Sequence, residues 1–171
     1  MVAFTPTIRI QTQAFDAQAE SALLRAGSRA IGALVSFEGI CRDHNRLDGE
    51  SGAGEVVELE LEHYPGMTEA SIASMVEQAS RRWPLQGVTV IHRIGLLHPA
   101  DPIVLVVVAS AHRQAALEAC AFLMDYLKTQ APLWKKETGA DGRSHWVDAR
   151  EADDHALERW GLSVPGNSRG G

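Results

Sequence analysis

One stretch constrains the fold more than any other: Ser110 to Gln130, which follows directly on the apolar run Ile103 to Ala109. Its residues are strong helix formers, Ser110 is placed to cap the start, and Pro132 ends the helix just past Gln130. At about 100° per residue, Ala116, Leu117, Cys120, Leu123, Met124 and Leu127 share one broad apolar face. Lys128 falls inside that arc and Arg113 meets it a few turns earlier. A buried cation is costly unless an anion answers it, so this placement predicts a pocket for a negatively charged ligand. The alternative on this helix alone is that Lys128, in the last turn, keeps its amine in water and favours the dipole end.

The rest of the chain supplies a frame for that helix. Ile103 to Ala109 is apolar on both faces and predicts a central strand. Residues 1 to 13 read as an extended lead-in, and Asp16 caps a short helix through about Arg25. Ala33 to Arg42 alternates as a strand, with Ala33, Val35 and Phe37 on one side. The polar, glycine-rich segment from about 43 to 54 predicts a mobile loop. Val57, Leu59 and Leu61 alternate with Glu58, Glu60 and Glu62 in a half-exposed strand, and a helix runs from Thr68 toward Trp83. A strand over Val88 to Ile94 precedes the apolar one. After Pro132 come a basic loop, a short strand around Trp146-Val147, a helix from about Glu151 to Trp160 and a loose tail over about 161–171. This order predicts an α+β fold with a largely antiparallel sheet, in one domain over residues 1–171.

Charge and cysteine usage exclude several classes. A net charge of −6 disfavours a general nucleic-acid coat, because phosphate neutralisation needs a basic face. The longest apolar run is too short to cross a bilayer and the N-terminus lacks a basic segment followed by an apolar one, so a cytoplasmic protein without membrane contact is expected. Cys41 and Cys120 make no disulfide framework and no zinc set, and no histidine spacing matches a metal motif; neither metal nor cofactor is expected.

The chemistry-bearing residues gather around the two ends of the long helix. At its start, free backbone N–H groups, the positive dipole end, His112 and the bidentate fork of Arg113 suit a phosphate. The alternative is an arginine paired with a nearby carboxylate. Past its end, Lys135 and Lys136 return toward Lys128, since a chain halted by proline cannot travel far in six residues. A lysine close to other cations and partly desolvated loses basicity, which suits a nucleophile or proton-transfer group, and Glu137 is placed to orient one of them. Alternatively, Lys135 and Lys136 are exposed loop charges. Cys120 reads as core, and Cys41, beside Arg42, ranks below the lysines as a nucleophile. His92 and His98 flank a turn.

Several segments, in unbroken order over about residues 30 to 160, resemble one family. They are Gly-Ala-Leu-Val-Ser-Phe-Glu-Gly-Ile-Cys-Arg-Asp-His-Asn (32–45), Leu-Glu-His-Tyr-Pro-Gly-Met (61–67), Arg-Trp-Pro-Leu (82–85), Val-Ile-His-Arg-Ile-Gly (90–95), Ser-Ala-His-Arg (110–113), Met-Asp-Tyr-Leu-Lys-Thr (124–129) and Ala-Pro-Leu-Trp-Lys-Lys-Glu (131–137). Together they are similar to the large, catalytic subunit of molybdopterin synthase. The resemblance implies an α/β hammerhead-like fold with an additional antiparallel sheet. It implies a sulfurtransferase in molybdenum cofactor biosynthesis: a small ubiquitin-like subunit inserts a tail ending in a Gly-Gly thiocarboxylate and delivers sulfur to cyclic pyranopterin monophosphate, forming the dithiolene of molybdopterin. It further implies a homodimer with a small subunit at each outer end, a heterotetramer. Carried over by position, the catalytic lysines fall on Lys128 and Lys135. Substrate-binding positions fall on Ile40, Cys41, Arg42, His112, Arg113, Lys128, Lys135, Lys136 and Glu137, and pocket-lining positions on Phe37, Met124 and Arg150.

The chain departs from the family pattern in a longer, glycine-rich loop over Arg46 to Gly54, and in His145, which stands where a basic residue is expected. The terminal Gly170-Gly171 mimics the partner's tail and is read as coincidence. Two other functions fit the same residues: a non-catalytic module binding a ubiquitin-like partner and an anion, and a phosphoesterase built on His112 and Arg113, for which the sequence offers no metal or nucleophile.

Overall fold

The computed structural model describes residues 4–43, 55–147 and 156–162. The chain runs β1 (Thr7–Gln11), α1 (Ala17–Ala26), β2 (Ala33–Ile40), β3 (Val56–His63), α2 (Met67–Arg82), β4 (Leu85–Arg93), β5 (Gly95–Leu97), β6 (Pro102–Ser110), α3 (Arg113–Gln130), β7 (Leu133–Gly139) and β8 (Ser144–Val147). The strands form two four-stranded sheets, in the orders β1-β4-β6-β2 and β5-β3-β7-β8. Only the β1–β4 pairing is parallel. Among the described residues no helix is long and apolar enough to cross a membrane.

The continuous apolar run of β6 has a direct explanation. Val104, Val106 and Val108 pack with Val88 and Val90 beneath α2 and α3, while Leu105 and Val107 pack with Ile91 on the opposite face, against Leu24 of α1 and Phe15. A strand in the middle of a sheet covered on both sides has no polar face to keep.

α3 starts later than the sequence predicts and is turned about its axis. Ser110 belongs to β6; its hydroxyl donates to the Pro84 carbonyl (2.9 Å) and accepts from the His112 N–H (3.3 Å), so it ties the strand end down, while His112 occupies the N-cap without a capping side chain. The buried side of α3 is centred on Ala119 and Leu123 and takes in Ala115 and Phe122, because the helix packs on both the first sheet and α2. Leu117, expected in the core, is 57% exposed. Leu117, Met124 and Lys128, all within about 40° of one another on the helix wheel, form the shoulder of the buried arc. Cys120 is core as expected, its thiol pushed up to about 11 by burial.

The second sheet was only partly visible in the sequence. β5 falls between the two strands predicted over Val88 to Ile94 and Ile103 to Ala109, and the segment after Pro132, predicted as a basic loop, is β7, paired along its length with β3. Of the helix predicted over 151–160, the described part begins at residue 156, with helical backbone at 156–158 and a turn beyond it. The predicted loop over 43–54 lies outside the described residues from position 44 onward, and the tail lies outside them from 163.

α2 sets where β7 begins. The buried Thr68 hydroxyl accepts from the Tyr64 N–H (3.1 Å) and donates to the Pro132 carbonyl (2.9 Å), and Ser71 donates to the Gln130 carbonyl (3.4 Å). These bonds clamp the C-terminal end of α3, so the chain leaves it in a fixed direction. Beyond the same helix, Trp160 donates to the Asp125 carboxylate (2.7 Å) and Arg82 to the Trp160 carbonyl (2.8 Å), which seats residues 156–162 on α3.

Candidate active site

Pro132 stops α3 and turns the chain into β7, where the period-two alternation of a strand decides which basic side chain faces inward. Lys135 sits in register with Leu61 and Glu137 with Leu59, on the inner side of the second sheet. Lys136 sits in register with Glu60 and Trp146 on the other side. There it pairs with Glu60, lies 5.6 Å from the Trp146 ring centroid, and has its pKa raised by the Glu60 hydrogen bond.

Between that inner face, the end of β2 and the C-terminal shoulder of α3 lies a cavity of about 710 Å³. Its walls carry three cations, Arg42, Lys128 and Lys135, and two carboxylates, Glu38 and Glu137. Phe37, Ile40, Cys41 and Met124 line it as well. A volume of this size suits a ligand of small-molecule dimensions.

Lys135 and Glu137 form an ion pair at 2.6 Å, and Glu137 is 4% exposed. His145 lies on the adjacent strand, its Nε2 3.9 Å from the second carboxylate oxygen of Glu137. Glu137 therefore fixes the Lys135 ammonium from the sheet side. Lys128 is exposed at the rim and, among the described residues, has no carboxylate at ion-pair distance. Its amine reaches water, as the alternative for this helix expects, and it is also a cavity residue, because the shoulder it occupies is the cavity wall.

β2 delivers its residues through an irregularity. The register with β6 shifts between Gly39 and Ile40, and a Cβ on Gly39 would stand 2.6 Å from Val104 Cγ1, so only glycine lets the strand press this close at the cavity floor. Cys41 is then held by backbone bonds to Asp101 (2.8 Å) and from Ala100 (2.8 Å). Its buried thiol has a raised pKa, burial outweighing the attraction of Lys135. That environment disfavours thiolate and keeps Cys41 below the lysines as a nucleophile.

The structure does not bring every expected residue to this cavity. His112 and Arg113 lie at the opposite end of α3, about 22 Å from Lys128 at 1.5 Å per residue, and both are exposed. Within one chain, neither residue lines the cavity that Lys128 lines. Lys136, on the other side of the sheet by strand alternation, does not line the cavity. Arg150 lies outside the described residues. His92, expected only beside a turn, is a buried cavity residue that the sequence reading missed; the signal was its place at the end of the alternating strand Val88, Val90, His92. Among the described residues no group of three His, Cys, Asp or Glu side chains is arranged to hold a metal ion.

The MoaE protein family matches residues 10–130 of the chain. A molybdopterin synthase catalytic subunit from Mesorhizobium japonicum is 56% identical over 156 residues, 91% of this chain and 93% of that one. Among solved structures, the molybdopterin biosynthesis MoaE protein from Burkholderia ambifaria superposes with a TM-score of 0.77 at 50% identity, covering 93% of this chain and 100% of that one. A complex of subunits 1 and 2 of molybdopterin-converting factor from Helicobacter pylori shares the fold, with a TM-score of 0.63 at 20% identity over 84% of this chain and 90% of that one. A family match over most of the length, with relatives half identical or better across nine-tenths of it, places the chain in the MoaE family.

Proposed function

We propose that this chain is the catalytic subunit of a molybdopterin synthase and that the cavity is where sulfur passes from a partner's peptide tail to a phosphorylated pterin. The observation that carries the reading is the meeting of Lys128 and Lys135 on one cavity with opposite electrostatic settings: Lys128 has no carboxylate partner among the described residues, whereas Lys135 is held by Glu137. Each transfer converts one thiocarboxylate to a carboxylate and exchanges one oxygen on the pterin side chain for sulfur. Lys128 is placed to act at the thiocarboxylate carbonyl or to move a proton there, and Lys135, with Arg42, to hold negative charge as it develops. The partner is a small ubiquitin-like subunit with a Gly-Gly end, and the substrate is cyclic pyranopterin monophosphate.

The separation along α3 bears on assembly. A site that uses both Lys128 and Arg113 is too long for one chain, so the proposed homodimer supplies His112 and Arg113 from the second protomer, with a small subunit on each outer side. The whole unit is then a heterotetramer of single-domain large subunits acting in the cytoplasm.

The test is to incubate the protein with thiocarboxylated small subunit and cyclic pyranopterin monophosphate and assay for molybdopterin, in parallel with Lys128→Ala. Product from the wild type, lost in a variant that still retains the small subunit, supports the reading. No product from the wild type, with both reactants bound, leaves a binding module instead.

A further inference from the structure

His92 is 8% exposed at the end of β4, in register with Ile10 on one side and Val104 on the other. Its Nδ1 stands 2.7 Å from the Arg93 carbonyl oxygen, which can only accept, so Nδ1 carries the proton and donates. The lone pair of the neutral ring is left on Nε2, which points away from that carbonyl. No group among the described residues hydrogen-bonds Nε2, yet it is not sealed in protein: the side chain lines the cavity that Lys128 and Lys135 also line. Burial holds the ring's pKa down at about 4, and His63 on the facing sheet opposes any added positive charge. At neutral pH Nε2 is therefore an acceptor and nothing else.

Donors outnumber acceptors among the cavity's other charged groups. Arg42, Lys128 and Lys135 answer phosphate, carboxylate or carbonyl oxygens, while Glu137 is already engaged by Lys135 and Glu38 is exposed to solvent. An occupant with an N–H to satisfy finds a buried acceptor at His92. An N–H left there without a partner is costly, so such a position discriminates for molecules that present one.

We infer that His92 Nε2 is a binding residue that accepts a hydrogen bond from an N–H of the cavity's occupant, either an amide of the inserted peptide tail or a ring N–H of the pterin. The inference rests on the function proposed above and assigns it a contact besides the lysines and arginines.

The direct test is nitrogen-15 NMR of the full chain with ring-labelled histidine and side-chain-amine-labelled lysine. In the free protein His92 should show a protonated Nδ1 and an unprotonated Nε2. The small subunit in its carboxylate form and cyclic pyranopterin monophosphate are then added separately. An upfield move of Nε2 with the small subunit assigns the N–H to the tail, a move with the pterin assigns it to the ring, and a move with both assigns it to each in turn. An Nε2 that is protonated in the free protein, or that stays put while the Lys128 and Lys135 amine signals respond, overturns the inference and leaves the proposed function standing. If no cavity signal responds to either probe, the proposed function falls and this inference with it. In turnover assays His92→Leu should raise KM for the donating molecule about tenfold, and His92→Gln, which keeps an acceptor, should recover most of it. Equal losses in both variants would mark His92 as merely structural.

Discussion

At its N-terminal end α3 presents His112 and Arg113 to solvent, with no side-chain cap and no acidic residue in the first turn; at its C-terminal end Lys128 stands over a cavity walled by a second sheet. Judged on charge and helix dipole, the first end is the better anion site, since the N-terminus is positive and the C-terminus negative. The walls are at the other end. Thr68 and Ser71 clamp the exit from α3, and β7 folds back against β3 to close the space beneath Lys128. Cations become a site where packing gives them a shared, partly desolvated volume, and an exposed helix start needs a second surface to do the same.

The sharpest break in this comparison is expected at the walled end. Lys128→Ala, or Lys135→Ala, should cut molybdopterin formation by about 10²–10⁴-fold in single-turnover assays, with circular dichroism unchanged. At the open end, Arg113→Ala should weaken substrate binding by roughly 10–100-fold, the range for a lost charge-assisted contact to phosphate. Mixing separately impaired Lys128→Ala and Arg113→Ala chains, at a substrate concentration too low to saturate Arg113→Ala, sharpens the point. If each site takes Lys128 from one protomer and Arg113 from the other, random pairing restores on the order of a quarter of the sites; if each site lies within one chain, nothing returns.

The histidines show the same contrast between walls and open solvent. His112 is exposed, whereas burial lowers the His92 pKa from 6.5 to about 4. Between those values the unfolded chain binds a proton that the folded chain refuses. The contribution is therefore fully present above about pH 6.5 and is lost as pH falls toward 4. At pH 5 the loss is about 2 kcal/mol by linkage, visible as a lower denaturant midpoint, and His92→Gln should flatten that slope. The smallest effect is expected at Lys136, which follows Lys135 in sequence and faces the opposite side of the sheet. Lys136→Ala should change turnover by less than about twofold, while a loss matching that of Lys135→Ala would contradict the alternation.

Much of the frame was legible because its signals are local. The run of β6, the alternation of β3 and the stop at Pro132 each follow from a few neighbouring residues. β7 was not legible: Leu-Trp-Lys-Lys-Glu-Thr-Gly has no clean alternation of apolar and polar residues, because its inner face carries the cavity's ion pair in place of core side chains. The rotation of α3 escaped for a related reason. An apolar arc locates the buried side of a helix, but whether Met124 and Lys128 sit at its centre or on its shoulder depends on α2 and β2, which pack on it from distant parts of the chain. The pairing of Lys128 with Lys135 was legible from the proline turn. That Arg113 stands apart follows from helix length alone, at about 1.5 Å per residue.

The central claim is that the inner face of the second sheet and the C-terminal shoulder of α3 receive the partner's tail. It is tested most directly by lysine footprinting: brief acetylation of the protein with and without the small subunit, followed by peptide mass spectrometry. Protection of Lys128 and Lys135 with Lys136 unchanged is the predicted result; protection of Lys136 while Lys128 and Lys135 remain fully reactive would contradict it.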